Sequence, residues 1–132
     1  MAVYDFGHLQ NGSDIRGTAI ETDGGSDVDL TERSVTRLTR GYLLWLARET
    51  GKKVSELRVS VGRDPRLSGP DIQRWVMNVL VPYGVDTLDC GLATTPAMFM
   101  STVFDDLRCD GSIMITASHL PYEKNGFKYF TR

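Results

Sequence analysis

The sequence predicts an α/β fold, a three-layer α/β/α sandwich around a mixed, mostly parallel sheet. Three observations predict it. Strand-like and helix-like segments alternate three times along the chain. Two helical stripes of apolar residues, Val35 to Leu46 and Ile72 to Val79, stand between short strands. Ile113 to Thr116 is short and almost wholly apolar, which suits a central strand covered on both faces.

Each element has a local reason. Ile15 to Glu21 reads as a short strand, followed by a Gly-, Asp- and Ser-rich loop over residues 21–29. Thr31 is an N-cap for a helix whose stripe is Val35, Leu38, Tyr42, Trp45 and Leu46, ending at Gly51 with Lys52 and Lys53 beside the negative end of the dipole. Leu57, Val59 and Val61 alternate with Arg58 and Ser60, as in a strand with one buried face. Pro70, at a first helical position, opens the second helix, and Gly84 follows as its terminator. Val85 to Cys90 is a further strand, and Thr95 before Pro96 caps a short helical run from Ala97 to Phe104. Phe127 and Tyr129, alternating with Lys128 and Phe130, make a last strand after Ile113 to Thr116.

With 132 residues, 41% apolar and 24% charged, the chain has the composition of one globular domain. Residues 1–13 are expected to be a flexible amino-terminal segment and 14–132 the domain. The formal charge of -2 supplies no field for phosphate backbone or anionic lipid, so neither nucleic acid nor membrane is an expected partner. The two cysteines, Cys90 and Cys109, have no metal spacing and read as reduced thiols. With no apolar signal core in residues 1–10, the expected location is the cytoplasm, or a plastid after removal of a transit peptide.

In such sheets the working residues sit in loops after the carboxyl ends of strands. Three loops qualify, at residues 62–70, 91–96 and 117–125, and the third is the richest. There Ser118 leaves a buried strand, His119 follows, and Lys128 stands a few residues on. A serine nucleophile needs a base or a bound charge, and a phosphoserine needs cations to balance roughly two negative charges. A bare Ser-His pair equally suits a turn, so spacing alone leaves both readings open.

Thr116-Ala117-Ser118-His119-x-Pro121-x-x-x-Asn125-Gly126-Phe127-Lys128 resembles the phosphoserine signature of the α-D-phosphohexomutase superfamily. Asp14-Ile15-Arg16-Gly17 resembles that family's amino-terminal arginine motif, and Gly62-Arg63-Asp64-Pro65-Arg66-Leu67-Ser68-Gly69 its Gly-Arg-Asp loop. Thr94-Thr95-Pro96 resembles the family's helix entry, and the likeness covers only the family's first domain. The resemblance implies Ser118 as phosphoryl carrier, His119 as general acid/base, and Lys128 and Arg16 as cations in the transfer. It implies Arg63, Asp64 and Asn125 as substrate- or phosphate-binding residues, and magnesium held through the phosphate of Ser118, with other ligands in further domains of the same enzyme. The implied reaction interconverts hexose 1-phosphate and 6-phosphate through a bisphosphate, with a phosphosugar as substrate. Two positions depart from the family pattern, Leu120 where Asn is usual and Tyr122 where a second Pro is usual.

The remaining residues receive plainer readings. Lys124 reads as a solvated surface lysine, and Arg63 with Asp64 also suits an ion-paired brace for the neighbouring loop. Asp23, Asp27 and Asp29 lack the ligand positions of a calcium hand. His8 has no partner pattern, Trp45 and Trp75 read as core, and Asn11-Gly12-Ser13 reads as a turn. The rival functional reading is a non-catalytic interaction or regulatory module that retains only this domain; a receiver-like domain would need an acidic cluster at strand ends, which the sequence lacks.

Overall fold

A computed structural model describes residues 5–132. Its sheet contains β1 (Gln10–Asn11), β2 (Asp14–Thr18), β3 (Arg58–Arg63), β4 (Asp86–Leu92), β5 (Gly111–Ile115) and β6 (Lys124–Thr131). The helices are α1 (Glu32–Thr50), α2 (Gly69–Leu80) and α3 (Thr95–Ser101). The strand order is β1-β2-β6-β5-β3-β4. β3 pairs in parallel with β4 and β5, while β5–β6, β6–β2 and β2–β1 are antiparallel. Two reversals around β6 leave β2, β3, β4 and β5 pointing the same way, so the sheet is mostly parallel in direction although its neighbour pairs are mixed. Among the described residues no helix is long and apolar enough to cross a membrane.

α1 and α2 cover one face. Val59, Val61, Ile113, Ile115 and Phe127 meet Leu43, Leu46, Ile72 and Val76 there in the main core. α1 keeps its sequence-level boundaries because both ends are locally specified. Thr31 Oγ1 accepts from the Ser34 N–H at 3.2 Å, and Gly51 takes the left-handed conformation at φ 69°. α3 covers the other face, and its cap is Thr94 rather than the expected Thr95: Thr94 Oγ1 accepts from the Ala97 N–H at 3.3 Å.

The expectation of one buried face for β3 is corrected. Ser60 is fully buried because α3 packs over it, and its hydroxyl is satisfied by Ser101 at 2.7 Å and Ser112 at 2.8 Å. Trp45, read as core, is 45% exposed, whereas Trp75 packs against the core margin.

The expected boundary at Asp14 falls within continuous structure. Gly7–Leu9 forms a 3-10 turn, Leu9 is buried, and β1 pairs with β2 across the predicted turn at Gly12. Residues 1–4 of the expected amino-terminal segment lie outside the described residues. His8 is exposed but lies 3.3 Å from Asp29. Asp29 also accepts from the Thr18 N–H at 2.6 Å, and it sits so close over Gly17 that a Cβ there would stand 2.6 Å from its Oδ1. A side chain at position 17 would therefore push this loop away from the sheet.

Candidate active site

β5 ends at Ile115, and the chain stays buried through Thr116 and Ala117 before Ser118 emerges. Ser118 has φ 55°, a left-handed conformation that is uncommon for a residue with a side chain and persists only where the surroundings hold it. Those surroundings are identifiable. The Ser118 N–H donates to Thr116 Oγ1 at 2.9 Å, and the Thr116 hydroxyl donates to Asp64 Oδ2 at 2.6 Å. Asp64 is itself hydrogen-bonded through its N–H to the Ile115 carbonyl, which ties the end of β3 to the end of β5.

Arg66 completes the support. Its Nη2 donates to the carbonyls of Ser118 and Leu120, both at 2.9 Å. Its Nη1 donates to the carbonyls of Pro121 at 2.8 Å and Lys124 at 3.0 Å, and its Nε faces Asp64 Oδ2 at 3.3 Å. A guanidinium carries five N–H donors in a fixed plane, and all five have acceptors here. The loop after β5 is thus wrapped around one side chain.

Arg16 reaches Ser118 from β2, and Lys128 on β6 shares its counter-ion. Arg16 Nη2 donates to Ser118 Oγ at 3.2 Å and to Asp14 Oδ2 at 3.2 Å, and Lys128 Nζ donates to the same Asp14 oxygen at 2.5 Å. Antiparallel pairing causes this meeting: Arg16 lies opposite Gly126, and Lys128 is two residues farther along β6 on the same face. Arg16 Nε is buried without a hydrogen-bond partner, so part of the guanidinium is desolvated beside the serine. His119 is exposed and makes no hydrogen bond or ion pair among the described residues.

Three residues expected to bind substrate or phosphate spend their side chains on protein partners. Arg63 shares the face of Val59 and Val61, opposite to that of Arg16. Its Nη1 donates to Gln73 Oε1 at 2.5 Å, and Gln73 continues to Asp89 at 2.6 Å. Asp64 spends its carboxylate on Thr116 and Arg66, the bracing role. Asn125 is fully buried, with its amide donating to Ser68 Oγ at 2.8 Å and its Oδ1 accepting from the Gly126 N–H at 2.9 Å. It joins the loop to the start of α2 and presents nothing to a ligand. Lys124, read as solvated, donates to Thr18 Oγ1 at 2.7 Å.

Sequence reasoning assigned no role to Arg66, Asp14 or Thr116, although each lies inside a quoted motif. A larger apolar cavity of about 460 Å³ lies on the α1 side of the sheet, lined by Tyr42, Trp45 and Tyr129, and holds none of these residues. Among the described residues no group of three or more His, Cys, Asp or Glu side chains could hold a metal ion, and both Asp14 and Asp64 are engaged by cations. The side chains present therefore do not fit a magnesium ion by themselves.

The family model for phosphoglucomutase/phosphomannomutase, α/β/α domain I, matches residues 7–132. The chain belongs to this family. Among phosphohexomutase relatives, a phosphoglucosamine mutase from Nautilia profundicola is 39% identical over 101 residues, covering 76% of this chain and 21% of that protein. A phosphoglucomutase from Neisseria gonorrhoeae is 37% identical over 95 residues, covering 69% of this chain and 20% of its own length. The crystal structure of a phosphoglucomutase/phosphomannomutase family protein from Burkholderia thailandensis superimposes with a TM-score of 0.70 at 29% identity, over 91% of this chain and 25% of that one. This domain I thus spans about a fifth of the length of the curated relatives it matches.

Proposed function

We propose that this domain carries the phosphoryl group of a phosphohexomutase on Ser118. The observation that supports this reading best is the pairing of an exposed serine, held at φ 55°, with Arg16 at 3.2 Å. In the proposed cycle the phosphoryl group passes from Ser118 to a free hydroxyl of a hexose phosphate. The resulting bisphosphate then returns a phosphoryl group from its other end to Ser118. Hexose 1-phosphate and 6-phosphate are thereby interconverted.

Arg16 supplies two-pronged donation to the transferring oxygens, which a lysine cannot provide in one plane. Lys128 adds a second positive charge, released from Asp14 as the phosphoryl group arrives. In this reading His119, exposed and without a hydrogen-bond or ion-pair partner among the described residues, exchanges a proton with the attacking or leaving hydroxyl. Positioning and charge neutralisation supply most of the catalysis of phosphoryl transfer. The relatives' greater length supports further domains of the same enzyme as partners of this one. Magnesium belongs to the proposal only as an ion that the Ser118 phosphate would help to bind, its other ligands lying outside these residues, and no step here is routed through it.

The test is substitution in the longer enzyme. Ser118→Ala should lower kcat by several powers of ten with little change in substrate binding. His119→Ala should cost about 10²- to 10⁴-fold. Retention of most activity by Ser118→Ala, or phosphate found on Ser68 or Ser112 by mass spectrometry, would overturn the reading.

A further inference from the structure

On the face of β2 and β6 that carries Arg16, the sheet sets three cations in a row. Thr18 pairs with Lys124 and Arg16 with Gly126, and side chains of one face recur at every second residue. Lys124 and Lys128 therefore flank Gly126 on β6, each a diagonal neighbour of Arg16 at about 7–8 Å between backbones, within reach of long side chains. Gly126 keeps the middle of the row clear, since a Cβ there would collide with the Ile15 carbonyl oxygen.

The charges in this row do not balance. Asp14 is the counter-ion of both Arg16 and Lys128. The Lys124 amine instead donates to the neutral Thr18 hydroxyl at 2.7 Å and forms no ion pair among the described residues. Arg16 also keeps its buried Nε–H without an acceptor. Three cations and one carboxylate leave two positive charges over. A phosphate monoester brings roughly two negative charges and several acceptor oxygens. Lys124 and Arg16 line one cleft of about 210 Å³, together with Thr18, His8 and Asp29. Asp29, the acidic residue of that cleft, faces other donors: one oxygen accepts from the Thr18 N–H at 2.6 Å and the other lies 3.3 Å from His8.

We propose that Lys124 is a phosphate-binding residue, which with Arg16 holds the oxygens of a phosphate monoester in this cleft. The proposal rests on the reading of Ser118 as phosphoryl carrier and adds a third cation to its site. The phosphate is either the one on Ser118 or that of an incoming phosphosugar, and the shared chemistry is a tetrahedral dianion.

The experiment is NMR of the chain with isotope-labelled lysine and arginine side chains, titrated with inorganic phosphate and with chloride at matched ionic strength. It is run on the unmodified chain and on the same chain carrying phosphoserine at position 118. Phosphate, and not chloride, should move the Lys124 and Arg16 signals of the unmodified chain. If Lys124 has already moved in the phosphoserine form and added phosphate leaves it in place, its ligand is the Ser118 phosphate; if added phosphate still moves it, its ligand is a second phosphate group. Lys124→Gln, which keeps an N–H donor for Thr18, should weaken inorganic phosphate roughly three- to tenfold, and Lys124→Arg should restore it to within about twofold. Unchanged phosphate affinity in Lys124→Gln, with only its unfolding midpoint altered, would make Lys124 a structural residue and overturn the proposal. Movement of Arg16 and Lys128 while Lys124 stays still in both forms refutes it too, and leaves the Ser118 reading standing. If neither phosphate nor phosphoserine moves Arg16 or Lys128, the Ser118 reading falls and the role of Lys124 with it.

Discussion

The guanidinium of Arg66 donates to the carbonyl oxygen of Ser118 at 2.9 Å across 52 residues of sequence. The same group holds three more carbonyls of that loop, so the position of the reactive serine depends on a side chain that never touches its hydroxyl.

Arg66→Ala should therefore destabilise the fold by about 1–3 kcal/mol, the range for losing a set of charge-assisted hydrogen bonds whose acceptors partly regain water. Arg66→Lys should recover little of this, because an ammonium has three donors at one point and cannot reach four carbonyls and a carboxylate arranged around the edge of a plane. Denaturant unfolding gives the magnitude. Hydrogen exchange should show lost protection confined to residues 118–124; unchanged protection there would refute the clamp.

Asp14 is the counter-ion of both Arg16 and Lys128 when Ser118 bears no phosphate. Asp14→Asn keeps the shape and removes the charge. Inorganic phosphate should then bind roughly three- to tenfold more tightly at low ionic strength, with the gain shrinking above ~0.15 M salt. Weaker or unchanged binding would show that Asp14 orients the cations more than it neutralises them.

Tyr42 and Tyr129 stack with ring centroids 4.5 Å apart, and burial pushes both phenols above their ordinary range. The folded chain thus keeps phenolic protons that the unfolded chain releases above about pH 10. Stability should be flat with respect to these groups below that pH and should fall as pH rises through it, by up to about 1.4 kcal/mol per pH unit for each phenol. Urea titrations at pH 8 and pH 10.5 check the sign, and Tyr129→Phe should shallow the slope.

Local chemistry was readable directly from the residues. Thr31 and Gly51 mark the ends of α1 because a cap needs only residues within one turn of itself. The apolar run before Ser118 reads as a central strand because every one of its side chains must be covered. Motif resemblance added the family and the names of Ser118, Arg16 and Lys128 as candidates, since these signals are also short and contiguous.

Tertiary structure decided which of those candidates meet. Arg16 and Ser118 are 102 residues apart, and only the insertion of β6 between β2 and β5 brings them together. The same sheet turned Arg63 toward Gln73, buried Asn125 against Ser68, and gave Arg66 the loop to hold. Sequence alone determined most of the elements, the caps of α1 and the family, because those depend on neighbours a few residues away. The partners of each charged side chain depend on strand order and on which face a strand turns to its neighbours. Those are properties of the packed sheet, and no local pattern of residues encodes them.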